Sequence, residues 1–303
     1  LMLFAYAFKG ISNLTQKKFE LRDIFLSLTL PFSLLFLSYW SNLSLCVEVP
    51  VVTFLYFLIY LMLTKKTQPY LIYIFSIFLV LLKLNALPVI VISLWSVYGI
   101  LKKNPRALGI LTGISTLWGL PWLIRNVITS GYLIYPFPAL DLFNFDWKAP
   151  SAMVAWIKAA ATSYGRIDAP PESPMNQMGF YYWFSKWLIA NLLSMELLIL
   201  IAAFITFLIF LAQAKKLMRS YHAYGIALAT VLLGIVYWFI TAPNLRYGFG
   251  FITGLSLLAL IPAVAHLLSN LKANYRRFLS WLYVLGCLYF ILVVKQHTTT
   301  PLI

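Results

Sequence analysis

The chain has 303 residues, of which 62% are hydrophobic and only 10% charged. A soluble domain carries about a quarter charged residues, so this chain has too few to cover a water-facing surface and reads as a multi-spanning membrane protein. Its net charge of +15 does not point to nucleic acid, because the basic residues sit in short clusters between apolar runs.

The opening LMLFAYAFKG resembles the tail of a helix whose beginning is absent, and the sequence is therefore expected to be a fragment truncated at its N-terminus. Apolar runs then place spans near residues 24–41, 47–63, 69–82, 84–101, 107–124, 188–212, 223–241, 248–268 and 278–294. The third and fourth are separated by Lys83, Leu84 and Asn85, a spacing that suits a tight helical hairpin. The expected fold is all-α: a polytopic transmembrane helical bundle of about nine spans plus the truncated first helix. Residues 1–303 are expected to form a single integral membrane domain. Pro31, Pro88 and Pro121 fall within these runs and are read as kinks.

Most of the 23 lysines and arginines fall in alternate connections, around Lys9, Lys17, Lys18 and Arg22, Lys65 and Lys66, Lys102, Lys103 and Arg106, Lys215, Lys216 and Arg219, and Lys272, Arg276 and Arg277. By the excess of positive charge in cytoplasmic loops, those connections face the cytoplasm and residues 125–186 face outward. The expected location is a bacterial inner membrane with this loop periplasmic. Within the loop, PSAMVAWIKAAATSYGR reads as an amphipathic helix near 150–165, with Met153, Trp156, Ile157, Ala160 and Tyr164 on one stripe. Such a helix is suited to lie on the membrane surface. FYYWFSKW then forms an aromatic belt at the return to the interface.

Cys46 and Cys287 make no framework, and His222, His266 and His297 lie in three different places. No metal-ligand set is visible, which leaves a divalent cofactor unassigned. Arg125 and Asn126 arrive after an apolar run of about 27 Å of helix, at the outer interface. Two readings fit the pair: a snorkelling anchor, or a guanidinium fork for a phosphate at headgroup depth. Arg246 with Tyr247, between Pro243 and Gly248, admits the same two readings. Asp141 and Asp146 are the candidate catalytic carboxylates, against a role in capping or pairing ahead of the loop helix. Trp147 offers a stacking face for a sugar, and Lys148 a phosphate contact. Asp168 and Glu172 read as solvated. Glu196 is either deep in a span beginning near Ser185 or at the mouth of a span beginning at Met195, with residues 180–193 in the interface; the second is preferred.

The stretches RNVITSGYLIYPFP, DWKAP and APNLRYGFG together resemble multi-spanning bacterial glycosyltransferases of the GT-C type, and within it an uncharacterised family with those motifs. The resemblance covers the middle and C-terminal two-thirds. It implies an external pocket that binds a sugar carried on a polyprenyl phosphate and passes it to a cell-envelope acceptor. It would place Arg125, Asn126, Asp146, Lys148 and Arg246 around that pocket, with membrane lipid as the other partner. The catalytic acid of such enzymes lies in the first external loop, which here would precede Leu1; Glu48 is external but matches no motif. The alternative function is a flippase, transporter, polymerase or ligase of lipid-linked envelope intermediates.

Overall fold

The computed structural model describes residues 2–15, 19–40, 47–65, 68–137 and 141–299, with side chains described for all of these except 2–6, 32–40 and 290–299. Cys46, Lys17, Lys18 and Lys66 lie outside the described residues. Thirteen α-helices follow one another, with no strand among the described residues. They are α1 (Met2–Leu14), α2 (Leu21–Trp40), α3 (Glu48–Met62), α4 (Pro69–Leu82), α5 (Ile90–Lys103), α6 (Leu108–Ser130) and α7 (Ser151–Ile167). The series continues with α8 (Phe180–Asn191), α9 (Met195–Ile209), α10 (Leu211–Ser220), α11 (His222–Thr241), α12 (Leu245–Asn270) and α13 (Ala273–Thr299).

Over its described residues each of the nine apolar runs falls mainly on helix, but length and apolarity suited to crossing a bilayer are a narrower property. Among the described residues four stretches have it: Leu84–Lys103, Pro105–Ser130, His222–Thr241 and Leu245–Asn270. A fifth exists if α8 and α9, bent by 94° at a short break, count together. Helices α3 and α4 are apolar but shorter. The expected span over 188–212 is thus broken into parts of α8, α9 and α10. The cause is local polarity: the Asn191 amide donates to the Trp187 carbonyl (2.8 Å), and Ser194 Oγ accepts from Leu197 N–H (3.4 Å), starting a new helix. The break leaves Glu196, buried, in the first turn of α9.

The chain divides into two compact units. The first comprises Leu1–Thr67, Ile199–Ala229 and Ile252–Ile303. There α1 lies hard against α2, because Gly10 has no Cβ: an added one would stand 2.8 Å from the Asp23 carbonyl oxygen. Asp23 accepts from the Glu20 N–H (2.8 Å) and the Asn13 amide (2.9 Å), capping α2 and tying it to α1. Elsewhere in this unit the Tyr56 hydroxyl donates to Thr253 Oγ1 (2.5 Å), a buried polar pair that fixes α3 on α12. Glu48 opens α3 as a buried residue.

The second unit comprises Gln68–Leu198 and Thr230–Phe251. Here the expected hairpin forms: α4 and α5 are joined by a 3-10 turn, Leu84–Val89, which contains Pro88. Pro88 thus lies in the 3-10 first part of the stretch Leu84–Lys103, ahead of α5. Ser76 and Ser93 hydroxyls meet at 2.6 Å across the hairpin, and Tyr73 OH meets Ser115 Oγ at 2.5 Å, joining α4 to α6. In a low-dielectric setting such paired hydroxyls specify register, since an unpaired one costs about 1–3 kcal/mol.

Candidate functional site

The polar ending of α6 is organised by one residue. Gly131 ends the helix in the left-handed region (φ 78°), a conformation glycine adopts without penalty. An added Cβ there would lie 2.7 Å from Lys148 Cγ, so the absence of a side chain also lets the returning segment of the loop close in. Ala149 N–H donates to the Ser130 carbonyl (3.0 Å), and the Tyr132 hydroxyl to the Ala149 carbonyl (3.2 Å), with Tyr132 fully buried. The Lys148 ammonium is held by the Asp141 carboxylate, the Phe143 carbonyl (2.7 Å) and the face of the Tyr132 ring (5.0 Å). Lys148 and Asp141 thus clasp the loop. Asp146 is exposed, and Trp147 stacks on Phe145 (centroids 4.6 Å apart) with 60% of its surface still open.

The loop helix α7 matches its expected position, preceded by Pro150 as N-cap. Met153, Trp156 and Tyr164 of its apolar stripe remain exposed. The other side of α7 docks on the end of α11. Thr162 Oγ1 donates to the Thr241 carbonyl (2.8 Å), and Arg166 Nη2 to the Ile240 carbonyl (3.3 Å). Gly165 presses on the following turn, where a Cβ would be 3.0 Å from Pro243 N.

Beside this seam is a cavity of about 640 Å³. Its apolar wall includes Leu81 and Leu82 from the end of α4, Trp122 from α6 and Ile240 from the end of α11. Its charged groups are Lys83, Lys158 and Arg166, and no carboxylate is among the described residues that line it. Each cation rests on an aromatic ring: Lys83 over Tyr247 (4.3 Å), Lys158 over Phe137 (5.3 Å) and Arg166 over Trp183 (4.6 Å). Desolvation pulls the Arg166 guanidinium below its ordinary range, and its Nε is buried with no hydrogen-bond partner. Three cations lacking an acid on the wall favour an anionic guest.

Of the residues singled out in the sequence, Asn126 and Tyr247 line this cavity together. The Asn126 amide donates to the Leu133 carbonyl (3.3 Å), and the Tyr247 carbonyl accepts from the Asn85 amide (2.6 Å). Arg125 is exposed on α6, and Arg246 sits in the first turn of α12 with its N–H on Asn244 Oδ1 (3.0 Å); neither lines the cavity. Asp141, Asp146, Trp147 and Lys148 do not line it either. The residues that sequence reasoning passed over are Lys83, Lys158 and Arg166. A signal for two of them was present: Lys158, Thr162 and Arg166 recur at four-residue spacing on one face of α7. No group of three or more His, Cys, Asp or Glu residues is placed to hold a metal ion among the described residues.

A family model described as "Domain of unknown function (DUF8201)" matches residues 1–253. No curated protein matches the chain, and no solved structure matches it.

Proposed function

The chain belongs to this family of unknown function, and from its own residues we propose a membrane glycosyltransferase of the GT-C type. Its donor is a sugar on a polyprenyl phosphate, and its acceptor a cell-envelope glycan or lipid on the external face of a bacterial inner membrane. The observation that carries this reading is the cavity whose wall joins Leu81, Leu82 and Trp122 to Lys83, Lys158 and Arg166. An amphiphile with one anionic group matches that division: prenyl carbons against the apolar wall, phosphate oxygens at the cations. A soluble phosphate would have no use for the apolar half. Asn126 and Tyr247 then act at the same site, the first through its amide and the second by bracing Lys83.

In the proposed topology the nine runs cross the bilayer, the basic connections are cytoplasmic, and α7 covers the cavity from outside. Arg125 and Arg246 are interface anchors in this reading. Cleavage of the sugar–phosphate bond leaves negative charge on the departing phosphate, and three fixed cations would stabilise it most as that charge grows. Proton acceptance from the incoming hydroxyl needs a carboxylate outside this cavity.

The test is binding of decaprenyl phosphate and of decaprenyl-phosphate-linked sugars to the purified chain in nanodiscs. Wild type is expected to bind, and Lys83→Gln, Lys158→Gln and Arg166→Gln to bind about 10- to 150-fold more weakly, the worth of one charged hydrogen bond of about 1.5–3 kcal/mol. Absence of binding to wild type would sink the proposal.

A further inference from the structure

Arg166 lines a second cavity as well, of about 650 Å³, which also takes in Gly165 of the seam and Pro243 just after α11. We infer that this second cavity receives a polyhydroxylated acceptor, a carbohydrate hydroxyl compound, and that Asp168 takes its proton. The inference rests on the donor reading of the first cavity for its chemistry, but not for the existence of a glycan site.

The wall of the second cavity differs in kind from that of the first. It offers Tyr164 and Trp187 as aromatic faces, the side-chain amides of Asn191 and Asn244, and Lys186 and Asp168 as charges of opposite sign. Donors, acceptors and ring faces on one wall are what a pyranose with several hydroxyls requires, and a lipid chain does not. The wall is also firmly built. Trp187 is buried, its Nε1–H donating to the Pro243 carbonyl (2.5 Å), and the Asn191 amide is held on the Trp187 carbonyl.

Asp168 is the sole carboxylate among the described residues lining either cavity. It caps α7 in the left-handed region (φ 52°), which turns the chain immediately after Arg166 and Ile167. Asp tolerates that conformation better than most residues. The two groups that transfer needs, a cation for the departing phosphate and an acceptor for the proton, are therefore two residues apart at one helix end.

The step is a substitution. The acceptor oxygen forms a bond to the anomeric carbon of the donor sugar. The bond from that carbon to the phosphate oxygen breaks, and its electron pair leaves with the polyprenyl phosphate, facing Arg166. The proton of the acceptor hydroxyl passes to the Asp168 carboxylate. No oxidant, reductant or further reactant is needed.

The experiment uses the purified chain in nanodiscs with two probes, read separately. Saturation-transfer NMR follows methyl α-glucopyranoside, methyl N-acetylglucosaminide and methyl glucuronide at millimolar concentration; decaprenyl phosphate binding is titrated in parallel. At least one glycoside is expected to give a signal in wild type. Ala190→Trp, which puts a large ring into the second cavity, is expected to abolish it while leaving decaprenyl phosphate affinity within about threefold. Lys158→Gln is expected to do the reverse. No signal from any of the three glycosides, or a signal indifferent to Ala190→Trp, overturns the second site. A signal that follows Ala190→Trp in a protein that ignores decaprenyl phosphate keeps the glycan site and removes the donor reading. Asp168→Asn is expected to keep both binding signals and lower transfer from decaprenyl-phosphate-linked sugar about 100-fold or more, within the usual worth of a general base. Transfer within about threefold of wild type, or none in wild type, removes Asp168 from the step.

Discussion

Substituting Gly165 by Ala tests whether the α7 seam holds the site together. An added Cβ would lie 3.0 Å from Pro243 N, 3.1 Å from Pro243 Cδ and 3.2 Å from the Ala242 carbonyl carbon. Two of these atoms are backbone and the third belongs to a rigid ring, whose own carbonyl is fixed by Trp187. Relief must come from α7 moving outward, stretching the Thr162–Thr241 and Arg166–Ile240 bonds, the second already at 3.3 Å. Overpacking of this kind costs about 1–3 kcal/mol. Against it stands a gain of about 1 kcal/mol from replacing glycine inside a helix. Thermal stability in detergent should therefore change little, while the misplacement of Arg166 falls on binding. Charged wholly to decaprenyl phosphate affinity, about 1–3 kcal/mol is a loss of about 5- to 150-fold. Gly113→Ala in α6 supplies the control, because nothing lies within 4 Å of the added Cβ and only the helix gain remains. If the two variants bind alike, the seam does not position Arg166 and the reasoning fails.

Tyr247→Leu is expected to weaken decaprenyl phosphate binding by about 2- to 30-fold through loss of the ring under Lys83, with Tyr247→Phe near wild type in the same titration. Asp141→Asn should leave that affinity unchanged, since the Asp141–Lys148 pair lies outside the cavity; a half-exposed pair contributes about 0–1 kcal/mol, measurable as a small drop in melting temperature. Gly131→Ala should destabilise the second unit by about 1–3 kcal/mol in thermal unfolding, because it combines a left-handed backbone with a clash on the Lys148 stem. Ser76→Ala should cost about 1–3 kcal/mol by stranding the Ser93 hydroxyl, and Ser76→Ala with Ser93→Ala together should cost less than the sum of the two.

What the sequence exposes and what it hides follow from the range of each signal. Apolar runs mark the helices, the break at Asn191 and Ser194 is visible as polarity inside a run, and the loop helix appears within two residues of α7 because its stripe is local. The site is different. Arg125 drew attention because an arginine at the end of an apolar run is a local contrast, yet successive residues on an α-helix point about 100° apart. That rotation is enough to put Asn126 on the cavity wall and leave Arg125 exposed. Lys83 looked like mere connection between two runs, and only the 3-10 turn after it, with Asn85 bound to the Tyr247 carbonyl, brings it over the Tyr247 ring. Lys158 and Arg166 share a face that reads as the solvated side of an amphipathic helix until α11 is docked beneath it. Positive charge is therefore collected here by tertiary contacts between residues about 75 to 165 positions apart, and no window of sequence contains them together. The short motifs around Gly131 and Lys148 serve a different end: they build the clasp that returns the chain to α7, and through α7 they set where Lys158 and Arg166 stand. On this account Asp141→Asn, at about 0–1 kcal/mol, is too small a change to move α7. Clasp substitutions that do shift α7, Gly131→Ala among them, affect binding only by loosening it, so their effects on affinity and on melting temperature should rise and fall together. Substitutions of the three cavity cations should separate the two.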